Sequence, residues 1–206
     1  MKNKLVLTLT SSMLLAGTAL AAPQSFDFKD PKGVNNAVFK LDAPLEAING
    51  NANGVSGTIS FDAEKPESLT GKIVVETKSL TVPNPTMKEH MHGGQWLDVE
   101  KFPTITFEAT KVANVKRDGT TTTADVTGKF TLRDVTKEIT VPVKLTYLKD
   151  KLGARSNGQM QGDLLVVRST FTIKRSDYGV NPKAPSDKVA EEIELTLSLA
   201  GAAPKK

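Results

Sequence analysis

The sequence predicts an all-β fold of about eight antiparallel strands, and two observations support this prediction. Residues 139–147 and 193–199 carry an apolar side chain at every second position, which is typical of strands that bury one face. Turn signals such as Asn49-Gly50-Asn51, Asp118-Gly119 and Asn157-Gly158 separate the strands, and each can supply a positive φ or a tight reversal. Strands joined by such turns pair with their sequence neighbours, so we expect an antiparallel meander.

Weaker alternation predicts the remaining strands. In chain order these are residues 55–61, 72–77, 104–110, 124–132, 164–167 and 170–173. Pro142 lies inside the strongest strand, where it removes a backbone donor. An edge position, a bulge, or a ring nitrogen that points away from the neighbouring strand would each accommodate it.

Residues 82–103 interrupt the β pattern with three prolines and Gly93-Gly94. We expect a short helix here that is capped by Thr86, with Glu89 as its capping-box partner, and that Gly93 ends. A long connection of this kind in a compact meander is often functional. The sequence therefore predicts a helical lid segment between two strands.

Residues 1–21 have the charge, the apolar run and the Ala19-Leu20-Ala21 ending of a secretory signal peptide. We expect a single mature domain over residues 22–206, located in the periplasm and without a stable membrane anchor. The sequence contains no cysteine, so neither a disulfide nor an acylated cysteine is available.

The charge balance gives no indication of nucleic-acid binding. Removal of Lys2 and Lys4 with the leader lowers the formal net charge from +4 to +2. The remaining sequence has no dense basic cluster. We therefore expect no nucleic-acid partner.

About eight strands with one apolar face can form either a two-layer sandwich or a closed barrel. The interior of an eight-stranded barrel is either filled by side chains or holds one small ligand. Aromatic residues make up 5% of the sequence, and most inward positions carry Val, Ile or Leu. Such slim side chains favour an apolar space, in which burial of roughly 15 methylenes would contribute about 12 kcal/mol before the costs of binding.

Four stretches of the sequence resemble the YceI-like family. They are "VSGTISFD" (residues 55–62), "WLDVEKFPTITFEAT" (96–110), "VTGKFTLRDVTKEITVPV" (126–143) and "FTIKRSDYGV" (171–180). The resemblance implies a lipocalin-like antiparallel β-barrel of the bacterial periplasm. It also implies a non-enzymatic protein that holds a polyisoprenoid or another long amphiphilic chain in a hydrophobic tunnel.

The chain departs from the family pattern in two places. Asp134 stands in a turn where the family commonly has glycine, and aspartate tolerates the left-handed conformation better than most residues. The stretch 87–94 replaces the usual Arg or Asp and leucine-rich sequence of the helical loop. The second departure concerns the ligand head group more than the fold.

The expected partner is therefore a long-chain isoprenoid or fatty-acyl lipid, bound without a cofactor. We expect Trp96-Leu97 and Phe102-Pro103 to plug one end of the barrel as core residues. In the other interpretation, Trp96, Met91 and Phe102 form an adaptable gate over the tunnel mouth. We expect the following residues to contact the apolar chain: Met91, Trp96, Leu97, Phe102, Ile105, Phe107, Phe130, Val143, Leu145, Phe171, Ile173 and Tyr178.

Several alternatives stay open at this point. His90 and His92 would need Glu89 or Asp98 to complete a metal site, and ordinary loop histidines are the favoured interpretation. No nucleophile elbow, P-loop or zinc-protease motif is present, so we expect no enzyme.

Two further alternatives concern surfaces and a turn. A solid-cored module that acts through its surface, for example in a stress response, is the second functional hypothesis, and a homodimer through an exposed strand is also open. Arg175 and Asp177 are expected to form a structural clasp at a strand end; in the other interpretation, Arg175 or Tyr178 meets the polar end of the ligand.

Overall fold

The computed structural model describes residues 23–205, so the predicted signal peptide lies outside the described residues. Eleven strands make up most of this part of the chain: β1 Gln24–Asp27, β2 Asn36–Asp42, β3 Ala47–Ala52, β4 Val55–Phe61, β5 Thr70–Glu76, β6 Leu80–Thr81, β7 Thr104–Asp118, β8 Thr121–Leu132, β9 Val135–Leu148, β10 Gly162–Lys174 and β11 Glu192–Pro204. Two helices, α1 Pro85–His92 and α2 Leu152–Arg155, and three short 3-10 segments complete the described elements.

Eight of the strands close into an antiparallel barrel, which confirms the predicted fold class and selects the barrel over the sandwich. The ring follows the order β1-β4-β5-β7-β8-β9-β10-β11, and it closes because β1 also pairs with β11 at Asp27 and Ala202. Strands β7 to β11 follow one another along the chain and around the barrel, as short turns predict.

A second branch of strands leaves the ring at β11. Strand β2 pairs with residues 194–198 of β11, β3 pairs with β2, and β6 pairs with β3. Strand β6 follows β5 in the chain through the 3-10 segment Thr77–Ser79. This branch widens the barrel at the end that carries residues 82–103, which we call the lid end; the opposite end is the floor.

One of the predicted turns is confirmed and another is wrong. Arg133 and Asp134 form the two-residue turn between β8 and β9, with φ of 52° and 58°, so the left-handed conformation expected of Asp134 is confirmed. The prediction of a turn at Asn49-Gly50-Asn51 was wrong, because these residues lie inside β3. There the Phe39 ring covers Gly50 so closely that a Cβ atom would lie 2.1 Å from the ring.

Pro142 lies in β9 beside an unpaired stretch of the wall. The ladder between β9 and β10 joins Lys144–Leu148 to Leu164–Arg168 and ends there. Residues 135–143 of β9 and 169–174 of β10 therefore face each other without strand pairing, and we call this stretch the seam. The missing N–H group of Pro142 therefore removes no hydrogen bond to β10. Of the three predicted alternatives, the structure shows the edge position, because β9 is locally unpaired on this side.

The floor of the barrel is solid. Phe26, Phe28, Leu145, Leu165 and Leu199 are each at most 1% exposed and belong to one cluster. A second cluster, which includes Leu80, Leu97 and Tyr178, lies at the lid end. Neither helix in residues 23–205 combines the length and the apolar character needed to cross a bilayer.

We expect substitution of Gly128 by alanine to destabilise the barrel by about 1–3 kcal/mol, because the inward face of β8 has no room for a methyl group there. An added Cβ would lie 2.6 Å from the Glu108 carbonyl oxygen and 2.6 Å from the Phe107 ring. Urea unfolding measures the loss. Gly94→Ala is the matched control, because nothing lies within 4 Å of a Cβ at that position; equal stability of the two variants would contradict the tight approach.

Candidate functional site

A cavity of about 370 Å³ lies inside the barrel between the floor and the lid end. Its lining is almost entirely aliphatic and aromatic, and its polar lining side chains are Glu46, His90, Thr106, Ser169 and Arg175. Several inward-pointing side chains, among them Phe107 of β7, Phe171 of β10 and Leu195 of β11, are only half-buried, because their inner surfaces face the cavity. The space has the size of a small-molecule site.

Most of the residues predicted to contact an apolar chain line this cavity. Ten of the twelve do so: Met91, Trp96, Leu97, Ile105, Phe107, Phe130, Val143, Leu145, Phe171 and Ile173. Seven of the ten lie on strands, which place them because side chains of alternate residues point to the same face; Met91, Trp96 and Leu97 belong to residues 82–103. Contact with a ligand stays a prediction for all of them.

Phe102 and Tyr178 lie behind the lining. Phe102 is 9% exposed and packs beneath the Arg133 guanidinium, which lies 5.4 Å from the ring centroid. Tyr178 is 2% exposed and meets the Phe130 ring edge to face at 5.3 Å. Burial, together with the nearby Asp177 carboxylate, raises the pKa of Tyr178. Both side chains support the lining from outside.

The sequence prediction missed part of the lining. Phe39 and Ile48, on β2 and β3, line the cavity, and neither strand shows the clear alternation that identified the others. Ile193, Leu195 and Leu197 on β11 also line it. Their regular spacing was the signal that could have placed them in the site.

The lid, residues 82–103, covers the cavity with one face of α1. Met87, His90 and Met91 line the cavity, and their spacing of three and four residues puts them on one helix face. Thr86 was wrongly predicted as the cap. Instead the Asn84 side chain accepts a hydrogen bond from the Met87 N–H at 3.0 Å, and Pro85 occupies the first helical position. Gly93 ends the helix as predicted.

The two histidines point to different places. His90 lines the cavity at the lid end, whereas the His92 ring nitrogen Nε2 lies 2.8 Å from the Leu80 carbonyl oxygen of β6. His92 therefore ties the lid to the barrel wall. Within residues 23–205 no cluster of three or more metal-ligating side chains is present.

Arg133 holds the lid in place from the β8–β9 turn. Its guanidinium donates to the carbonyl oxygens of Gly94 at 3.2 Å, Gln95 at 3.2 Å and Gly179 at 3.0 Å, and also to that of Trp96. Hydrogen bonds from a charged donor are the strong ones. The contacts of Arg133 with the lid could not be predicted from sequence, because the carbonyl groups that it binds come from distant segments.

Arg175 organises the loop of residues 175–191 above β10 and β11. Its side chain is 1% exposed and donates to the carbonyl oxygens of residues 180, 181, 184 and 190. The predicted Arg175–Asp177 clasp was wrong: Arg175 pairs with Glu191 at 3.3 Å and Asp177 pairs with Lys137 at 2.7 Å. A hydrogen bond from the Ser176 hydroxyl, with help from Arg175, outweighs burial and lowers the pKa of Glu191.

Comparisons with known proteins find the same fold. BcnA of Burkholderia cenocepacia superimposes with a TM-score of 0.66 at 20% identity, covering 81% of this chain and 95% of BcnA. A structure described as a polyisoprenoid binding domain from Saccharophagus degradans gives a TM-score of 0.64 at 12% identity, over 88% and 99% of the two chains.

Sequence comparison identifies the family. A UPF0312 protein of Pseudomonas paraeruginosa is 30% identical over 203 residues, which cover 97% of each chain. A UPF0312 protein of Azotobacter vinelandii is 29% identical over 202 residues with the same coverage. The family model of the YceI-like domain matches residues 31–200. The chain therefore belongs to the YceI-like family.

Proposed function

We propose that the protein is a non-enzymatic carrier that holds the apolar chain of a polyisoprenoid or fatty-acyl lipid inside its barrel. The observation that carries this proposal is the apolar cavity of about 370 Å³ beneath a lid that has apolar side chains on its inner face. The structural neighbour described as a polyisoprenoid binding domain supports the same class of ligand.

The size of the cavity fits an alkyl or prenyl chain. A water molecule occupies about 30 Å³ in the liquid, and a methylene group is of similar size, so the cavity accommodates about a dozen chain carbons. At about 0.8 kcal/mol for each buried methylene, the gross gain is about 10 kcal/mol. Immobilisation of the ligand and ordering of the lid reduce this figure by several kcal/mol, which leaves useful affinity without any charged contact.

The lining residues and the lid have different roles in this proposal. The ten predicted residues that line the cavity contact the chain, whereas Phe102 and Tyr178 stiffen the wall behind it. Met91 and Trp96 belong to the lid and adapt to the ligand, because methionine is flexible and tryptophan has a polar edge. No cofactor is required for this function.

The carrier would act in the periplasm. The predicted signal peptide at residues 1–21 directs export, and membership of the YceI-like family points to the same compartment. A lid that opens at one end of the barrel allows an apolar chain to enter and leave while the water around the protein stays excluded from the cavity. A homodimer stays a prediction.

We expect the purified protein to release a lipid on organic extraction, and the extracted protein to bind a neutral fluorescent alkyl probe at micromolar concentrations. Native mass spectrometry before and after extraction measures the mass of the bound molecule, and fluorescence titration measures the affinity. Protein that is empty as purified and that also fails to bind the probe would contradict the carrier proposal.

Two tryptophan substitutions distinguish a hollow barrel from a solid one. Phe107 lines the cavity, so Phe107→Trp is expected to cost less than about 1 kcal/mol of stability and to weaken probe binding, because the larger ring occupies the cavity. Phe26 is 0% exposed in the floor, so Phe26→Trp is expected to cost about 1–3 kcal/mol through overpacking. Urea unfolding that shows equally large losses would favour a solid-cored module that acts through its surface.

Release of the probe is expected to depend on Arg133. In Arg133→Gln the charged donor to the lid carbonyls is lost, and such bonds contribute about 1.5–3 kcal/mol, so we expect the bound probe to dissociate at least about tenfold faster. Stopped-flow fluorescence measures the rate. Arg117→Gln is the control, because Arg117 pairs with Glu64 at 3.0 Å on the floor side and both side chains are exposed. Equal dissociation rates for the two variants would argue against a lid held by Arg133.

A further inference from the structure

A groove of about 710 Å³ lies on the outer wall of the barrel at the floor end of the seam. Strands β7 to β10 form it, and its polar lining includes Asn114, Lys116, Asp125, Lys144 and Arg168. The groove faces solvent and is separate from the mouth of the cavity beneath the lid.

The wall between this groove and the cavity is thin. Val143 of β9 and Ser169 of β10 line both spaces. They lie immediately beyond the last paired residues of the ladder, Lys144 and Arg168. At this point the Ser169 hydroxyl donates to the Pro142 carbonyl oxygen at 2.6 Å, and this side-chain bond takes the place of strand pairing.

Side chains bridge the seam again near its other end. Lys137 of β9 forms an ion pair with Asp177 at 2.7 Å, and its Nζ atom lies 5.8 Å from the centroid of the Tyr178 ring. Of the side chains of β9 and β10 that flank the seam and line the cavity, Ser169 is polar, and the others, Val141, Val143, Phe171 and Ile173, are apolar. A chain that passes through the seam would therefore meet the same surface as a chain inside the cavity.

The groove is basic because the strand register aligns its cations. Lys116 pairs with Thr123, Thr123 with Lys144 and Lys144 with Arg168, so the four residues form one row across four strands. Lys144 and Arg168 are direct cross-strand partners, an arrangement in which like charges destabilise the sheet. An anion between them would remove this repulsion.

The described residues contain no carboxylate in an ion pair with any of these three cations. The acid of the groove, Asp125, accepts a hydrogen bond from the Asn114 Nδ2 group at 2.7 Å. Arg168 is oriented through its Nη1 group, which donates to the carbonyl oxygens of Val167 and Leu199 at 3.0 Å each. The remaining donors of Arg168 are available to an anion.

The mouth of the cavity is poorly suited to an anionic group. The polar side chains of the cavity lining outside the seam are Glu46, His90, Thr106 and Arg175, and the Glu46 carboxylate would repel an anion. The donors of Arg175 are directed to loop carbonyl groups and to Glu191. An amphiphile with an anionic head therefore has a better site at the groove than at the mouth.

We propose that this groove binds the anionic head group, a phosphate or a carboxylate, of an amphiphile whose apolar chain reaches the cavity through the seam. The inference rests on the proposed function for the chain and adds the chemical class of the head group. Charge-assisted hydrogen bonds from Lys144 and Arg168 to the head-group oxygens supply the selectivity.

The experiment compares dodecyl phosphate with dodecanol as competitors of a neutral fluorescent alkyl probe bound in the cavity. The unaltered protein is expected to prefer dodecyl phosphate by at least about tenfold. The double variant Lys144→Gln, Arg168→Gln should lose most of this preference and keep its affinity for dodecanol. The matched control, Lys111→Gln with Lys129→Gln, removes two exposed cations of β7 and β8 that lie outside the groove, and it should keep the preference.

The outcomes separate the two proposals. An unchanged preference in the groove variant, or an equal loss in the control, would overturn the head-group assignment while leaving the carrier proposal intact. Inorganic phosphate is tested alone: binding as tight as that of dodecyl phosphate would show a free-anion site and also overturn it. If neither amphiphile displaces the probe from the unaltered protein, the carrier proposal fails and the head-group assignment fails with it.

Discussion

Closure of the sheet into a ring is the constraint on which the cavity depends. The edge of β11 is shared between two strands, because β1 meets it at Ala202 and β2 meets it over residues 194–198. At the floor, β1 brings the fully buried Phe26 ring into the ring of strands. At the lid end, β2, β3 and β6 add width that slim aliphatic side chains do not fill. The sharing of the β11 edge between β1 and β2 therefore produces both the solid floor and the hollow half of the barrel.

At the lid end, hydrogen bonds from arginine side chains stand in place of strand pairing. In the described residues β6 has no ladder to β7, and β9 and β10 part at the seam. Arg133 and His92 connect the lid to the wall, and Arg175 holds the 175–191 loop together. Burial of a guanidinium group is unfavourable unless its N–H donors form hydrogen bonds. Loop carbonyl groups with no strand partners accept these hydrogen bonds. The floor depends on a different set of contacts, the buried cluster that includes Phe26 and Leu165.

Regular alternation explains which parts of the structure were predictable from sequence. Alternating apolar residues on β7, β8, β9 and β10 supplied the predicted strand residues that line the cavity, for example Phe107, Phe130 and Val143. The equally regular β11 residues were left out of the predicted site. The fold class and the lid followed from the same patterns. The arginine contacts could not be predicted, because their partners are backbone carbonyl groups, which carry no sequence signal. The wrong prediction of a turn at Gly50 has a related cause. The Phe39 ring that makes glycine necessary within β3 lies on a neighbouring strand.

The seam and the basic row have a common structural origin. A strand that contains Pro142 cannot pair fully on both edges, so the pairing with β10 stops next to the proline. The last paired residues before the seam are Lys144 and Arg168. The repulsion between their charges weakens the ladder at the point where it ends. Closing the seam by further pairing would require loss of the proline and would bring the cations into a fully bonded sheet. The seam thus lies between cations on the outer wall and mostly apolar side chains in the cavity, which is the polarity of an anionic amphiphile.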